Sequence, residues 1–162
     1  MSNIQYRMPD EFQDPLCDYE PRRYQDALQA ALAEETVSAI QSRPYAEITP
    51  EKTVYSALQV LNGLKVASLL VVENRRLVGL FTERDVLERV ATRLAEVRKL
   101  PVREVMTTNP IVVYETDPAG TALSAIAVAG YRHVPVLAVN DEVVGVISPR
   151  RVFDFLLARF GG

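Results

Sequence analysis

The chain has 162 residues, of which 48% are hydrophobic and 24% charged, and its net charge is −3. These values fit a soluble globular fold and argue against a general nucleic-acid or anionic-membrane surface. One cysteine, Cys17, and one histidine, His133, leave no intrachain disulfide, thiolate cluster, multi-histidine metal site or single-chain histidine triad.

The N-terminus, MSNIQYRMPDEFQ, lacks the basic start and apolar core of a signal peptide, so a cytoplasmic location is expected. No run of about twenty apolar residues exists to span a membrane. Residues 1–21 carry Pro9, Pro15 and Pro21 among five acidic residues and read as an extended arm. Arg22 to Glu35 is rich in helix formers. Its apolar positions Tyr24, Ala27, Leu28, Ala31 and Leu32 share one face, which predicts a helix packed on the rest of the chain or on a second copy.

From residue 35 onward the chain repeats itself. A displacement of 65 residues lays Ala57-Leu58 on Ala122-Leu123 and "SLLVV" (Ser68 to Val72) on "HVPVLA" (His133 to Ala138). One further residue in the next turn brings "LVGLFTERDVL" onto "VVGVISPRRVF". In each copy a short strand (Pro44 to Thr49; Pro110 to Tyr114) leads to a helix (Thr53 to Lys65; Pro118 to Ala129). Two strands follow around polar turns at Glu73-Asn74-Arg75 and Asn140-Asp141, and a helix closes the unit (Glu83 to Arg98; Pro149 to Phe160). The expected class is α/β (α+β), with two βαββα units. A single unit has too little core to stand alone, so the two must pack together. The expected divisions are 1–34 for the arm and helix, 35–100 for the first copy and 101–162 for the second.

The repeated strand-to-helix turn reads "GLFTERDV" at Gly79 to Val86 and "GVISPRRV" at Gly145 to Val152. Thr82 and Ser148 fit helix N-caps, Pro149 fits the first helical turn, and Asp85 suits the acidic partner of a capping box. The same geometry suits a ligand: a helix start offers free N–H groups to phosphate, and a carboxylate on the first turn can accept from two ribose hydroxyls. Both readings are open on these residues alone.

The tandem pattern, carried by "VREVMTTNPIVV", "YRHVPVLAVNDEVVGVIS" and "LLVVENRRLVGLFTERDVL", resembles the CBS (cystathionine-β-synthase) domain family from Glu35 to about Arg159. The resemblance implies a paired (Bateman) module, with the repeats packed about a pseudo-twofold axis. Such modules commonly dimerise and bind AMP, ADP, ATP or S-adenosylmethionine in clefts between repeats. Carried over, Thr82 approaches phosphate or ribose, and Asp85 holds the ribose hydroxyls. Thr107, Asn109, Pro110 and Ile111, matching the family's Met-Thr-x-x-Pro-apolar segment, border the adenine. Lys65 is a candidate to balance phosphate charge, or simply a solvated helix end.

The second copy departs from this pattern, because Arg151 replaces the carboxylate and guanidinium only donates. Either Arg132, His133, Ser148, Arg150 and Arg151 form a second cleft, its cations gathered around a phosphate, or Arg151 pairs with an acid and that cleft is empty. No Gly-rich phosphate loop or EF-hand loop is present, no cofactor is required, and no catalytic constellation stands out. The expectation is a regulatory homodimer sensing an adenine nucleotide and acting on an effector protein. The alternatives are a ligand-free dimerisation module and, more weakly, a nucleic-acid binder through Arg132, Arg150 and Arg151.

Overall fold

Local capping and turn chemistry set most element boundaries in the computed structural model, which describes residues 20–160. The expected arm, apart from Glu20 and Pro21, lies outside the described residues, as does Cys17. Helix α1 spans Ala27–Glu34. It starts later than the expected Arg22 because Asp26 caps it, accepting from the Gln29 N–H at 2.7 Å. The first copy then runs through β1 (Glu47–Ile48), α2 (Val54–Leu64), β2 (Ser68–Glu73) and β3 (Arg76–Thr82). Thr53 caps α2 through the Ser56 N–H, and Lys65 ends it in the left-handed region at φ 53°. Asn74 and Arg75 turn the β2–β3 hairpin with φ of 51° and 65°, the left-handed pair that matches strand twist.

The closing helix of the first copy differs from the continuous one expected. It divides into α3 (Glu83–Asp85), a π-helical segment (Val86–Val90), a 3-10 turn (Ala91–Arg93) and α4 (Leu94–Val97). The wide π turn includes Arg89, whose guanidinium crosses to the Val105 and Met106 carbonyls. Such insertions recur where a helix serves a site. The second copy supplies β4 (Thr107–Thr108), β5 (Val113–Tyr114), α5 (Ala119–Ala127), β6 (Val134–Leu137), β7 (Val143–Ile147) and α6 (Pro149–Phe160). The leading strands are only two residues each.

Two sheets result, in the orders β1-β2-β3-β4 and β5-β6-β7. Strand β4 belongs by sequence to the second copy but pairs with β3 of the first, Thr108 opposite Gly79 and Thr107 opposite Leu80. The reciprocal backbone contact among the described residues is one bond, the Val146 N–H donating to the Ser42 carbonyl at 3.0 Å. Each copy therefore lends its lead-in segment to the other's last strand. Both last strands have an irregular register one residue before the glycine, leaving Val78 and Val144 without opposite numbers, which kinks the strand locally.

One core cluster lies under each copy, around Phe81 in the first and Ile147 in the second, the latter also taking Ala31 and Leu32 of α1. A third, built on Leu70, Leu80 and Val146, lies between the two sheets with Tyr45, Leu77 and Val143. The hairpin tips meet through Arg75–Glu142 at 3.2 Å and Arg76–Asp141 at 3.0 Å. Asp141 also accepts from the Tyr114 hydroxyl at 2.9 Å. Exposed pairs of this kind contribute little energy but help fix orientation.

The glycines yield a stability prediction. A Cβ on Gly145 would sit 2.5 Å from the Ser42 Cβ and 2.6 Å from its carbonyl oxygen, whereas the atoms nearest to one on Gly79 belong to the Met106 side chain. Backbone cannot retreat as a thioether can. Gly145→Ala should cost about 1–3 kcal/mol in urea unfolding, and Gly79→Ala distinctly less.

Candidate functional site

Thr82 ends β3 and begins α3 with a reciprocal capping box. Its Oγ1 accepts from the Asp85 N–H at 3.3 Å, and the Asp85 carboxylate accepts from the Thr82 N–H at 2.9 Å. The carboxylate does more than cap. Asp85 Oδ2 also accepts from Thr82 Oγ1 at 2.9 Å, and Oδ1 accepts from Thr107 Oγ1, across the repeat boundary, at 2.8 Å. Arg89 Nη1 lies 3.3 Å from Oδ1. With Asp85 only 4% exposed, this set of donors replaces the water that a buried carboxylate loses. The same Nη1 donates to Val105 O at 3.1 Å and Met106 O at 2.7 Å, holding the chain just before Thr107.

Beside this network lies a cleft of about 750 Å³, within the range of nucleotide-sized sites. Thr82, Asp85, Leu87 and Arg89 line one side, and Thr107, Pro110 and Ile111 another. Tyr131, Arg132 and His133 form a third side. A larger, more open hollow of about 1050 Å³ lies along α2 and the hairpin tips, lined by Tyr45, Ile48, Val60 and Asn74 among others. It contains none of the residues that the sequence singles out.

Among the sequence-predicted residues, Thr82, Asp85, Thr107, Pro110 and Ile111 thus share one cleft. Asn109 lies outside its lining; exposed and at φ 49°, it makes the bend before Pro110. Lys65 is also elsewhere, capping α2 with its Nζ donating to Asn62 Oδ1 at 3.2 Å.

The expected cation cluster of a second cleft does not assemble. Arg132 and His133 line the cleft of Thr82 and Asp85 instead. Arg150 pairs along its own helix with Asp154 at 3.1 Å and covers the Phe153 ring. Half-buried Ser148 is absent from the cleft lining. Arg151 has no acidic partner among the described residues; it donates to three backbone carbonyls, those of Ser42, Pro44 and Val146. Neither an acid pair nor a free phosphate site describes it. Sequence reasoning missed Arg89, although its place four residues after Asp85, one helical turn on, was a usable signal.

The cleft is nearly balanced in charge. Glu83, Asp85 and Glu88 face Arg84, Arg89 and Arg132. Arg84 is paired with Glu88 at 2.7 Å, and Arg89 with Asp85. Arg132 makes no ion pair within the described residues. Burial pushes the His133 imidazole below its usual pKa, with Glu83 opposing and Arg132 and Arg151 reinforcing the shift. His133 is therefore neutral at pH 7. Among the described residues no group of three or more His, Cys, Asp or Glu could hold a metal ion, and no helix is long and apolar enough to cross a membrane.

Two outcomes follow from this geometry. Thr107→Val should destabilise the fold by about 1–3 kcal/mol, because it removes a hydrogen bond to a buried carboxylate. For His133, the unfolded chain binds the proton more tightly, so stability is complete above the unfolded value of about 6.5 and falls as pH drops below it, until the folded imidazole protonates too. Urea midpoints between pH 7.5 and 5.5 should fall for the wild type and flatten in His133→Asn.

Comparison with known proteins bears on the same region. The model of the CBS domain family matches residues 37–92 and 102–158. Over 127 residues the chain is 29% identical to the CBS domain-containing protein CBSCBSPB1 of Arabidopsis thaliana, covering 78% of this chain but only 23% of that protein. It is 29% identical over 122 residues to an uncharacterised 17.7 kDa protein of Acidianus ambivalens, covering 75% of this chain and 73% of the other. A CBS domain protein of Pyrobaculum aerophilum, solved in complex with AMP, superposes with a TM-score of 0.67 at 28% identity, over 78% of this chain and 99% of that one.

Proposed function

The chain belongs to the CBS domain family, and we propose that its two repeats form a non-catalytic regulatory module that binds one adenosine-containing ligand in the Thr82/Asp85 cleft. The carrying observation is the position of Asp85, a buried carboxylate bonded to both repeats and bordering a nucleotide-sized cleft. In this reading the ribose hydroxyls donate to Asp85 in place of Thr107 Oγ1 and Arg89. Pro110 and Ile111 offer apolar surface to the base; Ile111 is 47% exposed. Arg132, unpaired within the described residues, receives the phosphate. The relative from Pyrobaculum aerophilum, solved with AMP, supports this ligand class.

The charge balance narrows the ligand further. One free guanidinium suits a monophosphate, whereas the longer phosphate chain of ATP would bring surplus negative charge towards Glu83 and Glu88. Binding would exchange cross-repeat bonds for ligand bonds and so change the relative stability of repeat orientations. The size of that shift is set by the ligand's differential affinity. The output passes to an effector protein or to assembly. Phe153, Leu157 and Phe160 form an exposed apolar stripe on α6, which supports a homodimer face. A cytoplasmic location accords with this role. The matching inosine-5′-monophosphate dehydrogenase of Korarchaeum cryptofilum corresponds over only 21% of its length, which supports likeness in the module rather than in an enzyme. Arg150 and Arg151 are both engaged internally, which weighs against nucleic acid as the ligand.

Calorimetric titration with adenosine, AMP, ADP, ATP and S-adenosylmethionine tests this reading. AMP should bind once per chain, at least about ten-fold more tightly than Mg²⁺-free ATP. Asp85→Asn should weaken AMP by about ten-fold or more, the worth of one charged hydrogen bond. If no adenosine compound binds and Asp85→Asn only lowers stability, the network is architectural and the module serves dimerisation alone.

A further inference from the structure

Arg151 occupies the helix position that Asp85 holds in the first copy, and two of its three partners are the counterparts of residues that line the open cleft. Nη1 donates to Ser42 O and Val146 O, both at 2.5 Å, and Nη2 donates to Pro44 O at 2.5 Å. In the repeat register Ser42 and Val146 correspond to Thr107 and Leu80, and Pro44 to Asn109, the residue before Pro110. Thr107, Leu80 and Pro110 line the open cleft. The crossing segment that borders an open cleft in one half is, in the other, bridged to the last strand by a guanidinium of the chain itself.

We propose that Arg151 is a built-in occupant of the second cleft, fastening the first repeat's lead-in segment to β7 so that this joint is a fixed pivot and only the Thr82/Asp85 joint responds to ligand. Planar guanidinium suits the task, since its donors diverge in a rigid fork and can reach carbonyls on two chain segments at once. Neighbouring contacts reinforce the fastening. Val146 N–H donates to Ser42 O at 3.0 Å, Arg43 Nε donates to Val144 O at 3.0 Å, and Gly145 lets Ser42 approach the strand. At the other joint the corresponding tie is a hydroxyl on a carboxylate, with Arg89 attached from one turn further along the helix. Both groups border the cleft, where a ligand can compete for them.

Hydrogen exchange on wild type, Arg151→Ala, Arg151→Lys and the control Arg150→Ala tests the fastening without any ligand. Arg151→Ala should speed exchange of the Val146 amide by about ten-fold or more, the equivalent of one charged hydrogen bond. The Phe81 amide in the β2–β3 hairpin should change little. Arg151→Lys, which keeps the charge but not the fork, should fall between, and Arg150→Ala should match wild type. Val146 exchange within two-fold of wild type in both Arg151 variants, or equal acceleration of Phe81, overturns the fastening; the lysine variant decides if the alanine variant fails to fold.

The pivot also rests on the nucleotide reading, and saturating AMP tests that part. Exchange should change in residues 82–90 and 105–111 but not in 42–45 or 144–152. Change in both regions overturns the fixed pivot while leaving AMP binding intact, whereas absence of AMP binding defeats the nucleotide reading and with it the ligand-responsive joint.

Discussion

The close approach of each repeat's lead-in segment to the other's last strand is the constraint on which the rest of the structure depends. It requires a residue without a Cβ at Gly145, where the Ser42 backbone fills that space, and is eased by one at Gly79, where the Met106 side chain packs. Once the segments have crossed, β4 extends the first sheet and Ser42 bonds to β7. The sheets then close over Leu70, Leu80 and Val146, an apolar surface that neither copy covers alone. The cleft is a by-product of this exchange, lying where a borrowed segment passes the start of a helix.

That junction has been resolved in two opposite electrostatic ways. In the first copy a carboxylate occupies the first helical turn, and its negative charge is met by hydroxyls, backbone N–H and Arg89. In the second a guanidinium occupies the same place and is met by carbonyl oxygens. A carboxylate can exchange one hydroxyl donor for another of similar strength, so a diol can compete with Thr107. A guanidinium bonded to three carbonyls leaves a diol no acceptor there of comparable strength. On the proposed reading, the reversal of charge leaves one exchangeable joint and one internal joint. In both, an arginine grips the crossing chain, Arg89 from the fourth residue after Asp85 and Arg151 from the aspartate's own position.

The surroundings of the cleft accord with the proposed regulatory role. Its charges are mostly committed to each other, and its histidine is held neutral by burial against the pull of Glu83. Its bonds cross from one repeat to the other at the edge of the cleft. A ligand that took over some of those bonds would act on repeat orientation directly, with no need for a longer route of communication.

The repeat, the hairpins and the capping box were legible in the sequence because they rest on short-range rules: apolar periodicity, left-handed turn residues and the Thr82–Asp85 spacing. So was membership in the family, carried by motifs that occur in both copies. The sequence also marked Thr82, Asp85, Thr107, Pro110 and Ile111 as belonging together, although they come from different copies. Of the two roles open to Lys65 the structure places it in the helix-end one, and Asn109 makes a backbone bend outside the cleft lining; the sequence also grouped Arg132 and His133 with Arg150 and Arg151, which the structure separates. Which arginine faces which cleft depends on how the two sheets meet and on where a π turn sets Arg89. Those are long-range matters: a guanidinium seeks whatever acceptors are brought within its reach, and for Arg151 these lie over a hundred residues earlier, at Ser42 and Pro44. Sequence determined the parts and the turn that joins them; only the packing of one copy against the other decided that Asp85 borders an open cleft and Arg151 fills its own.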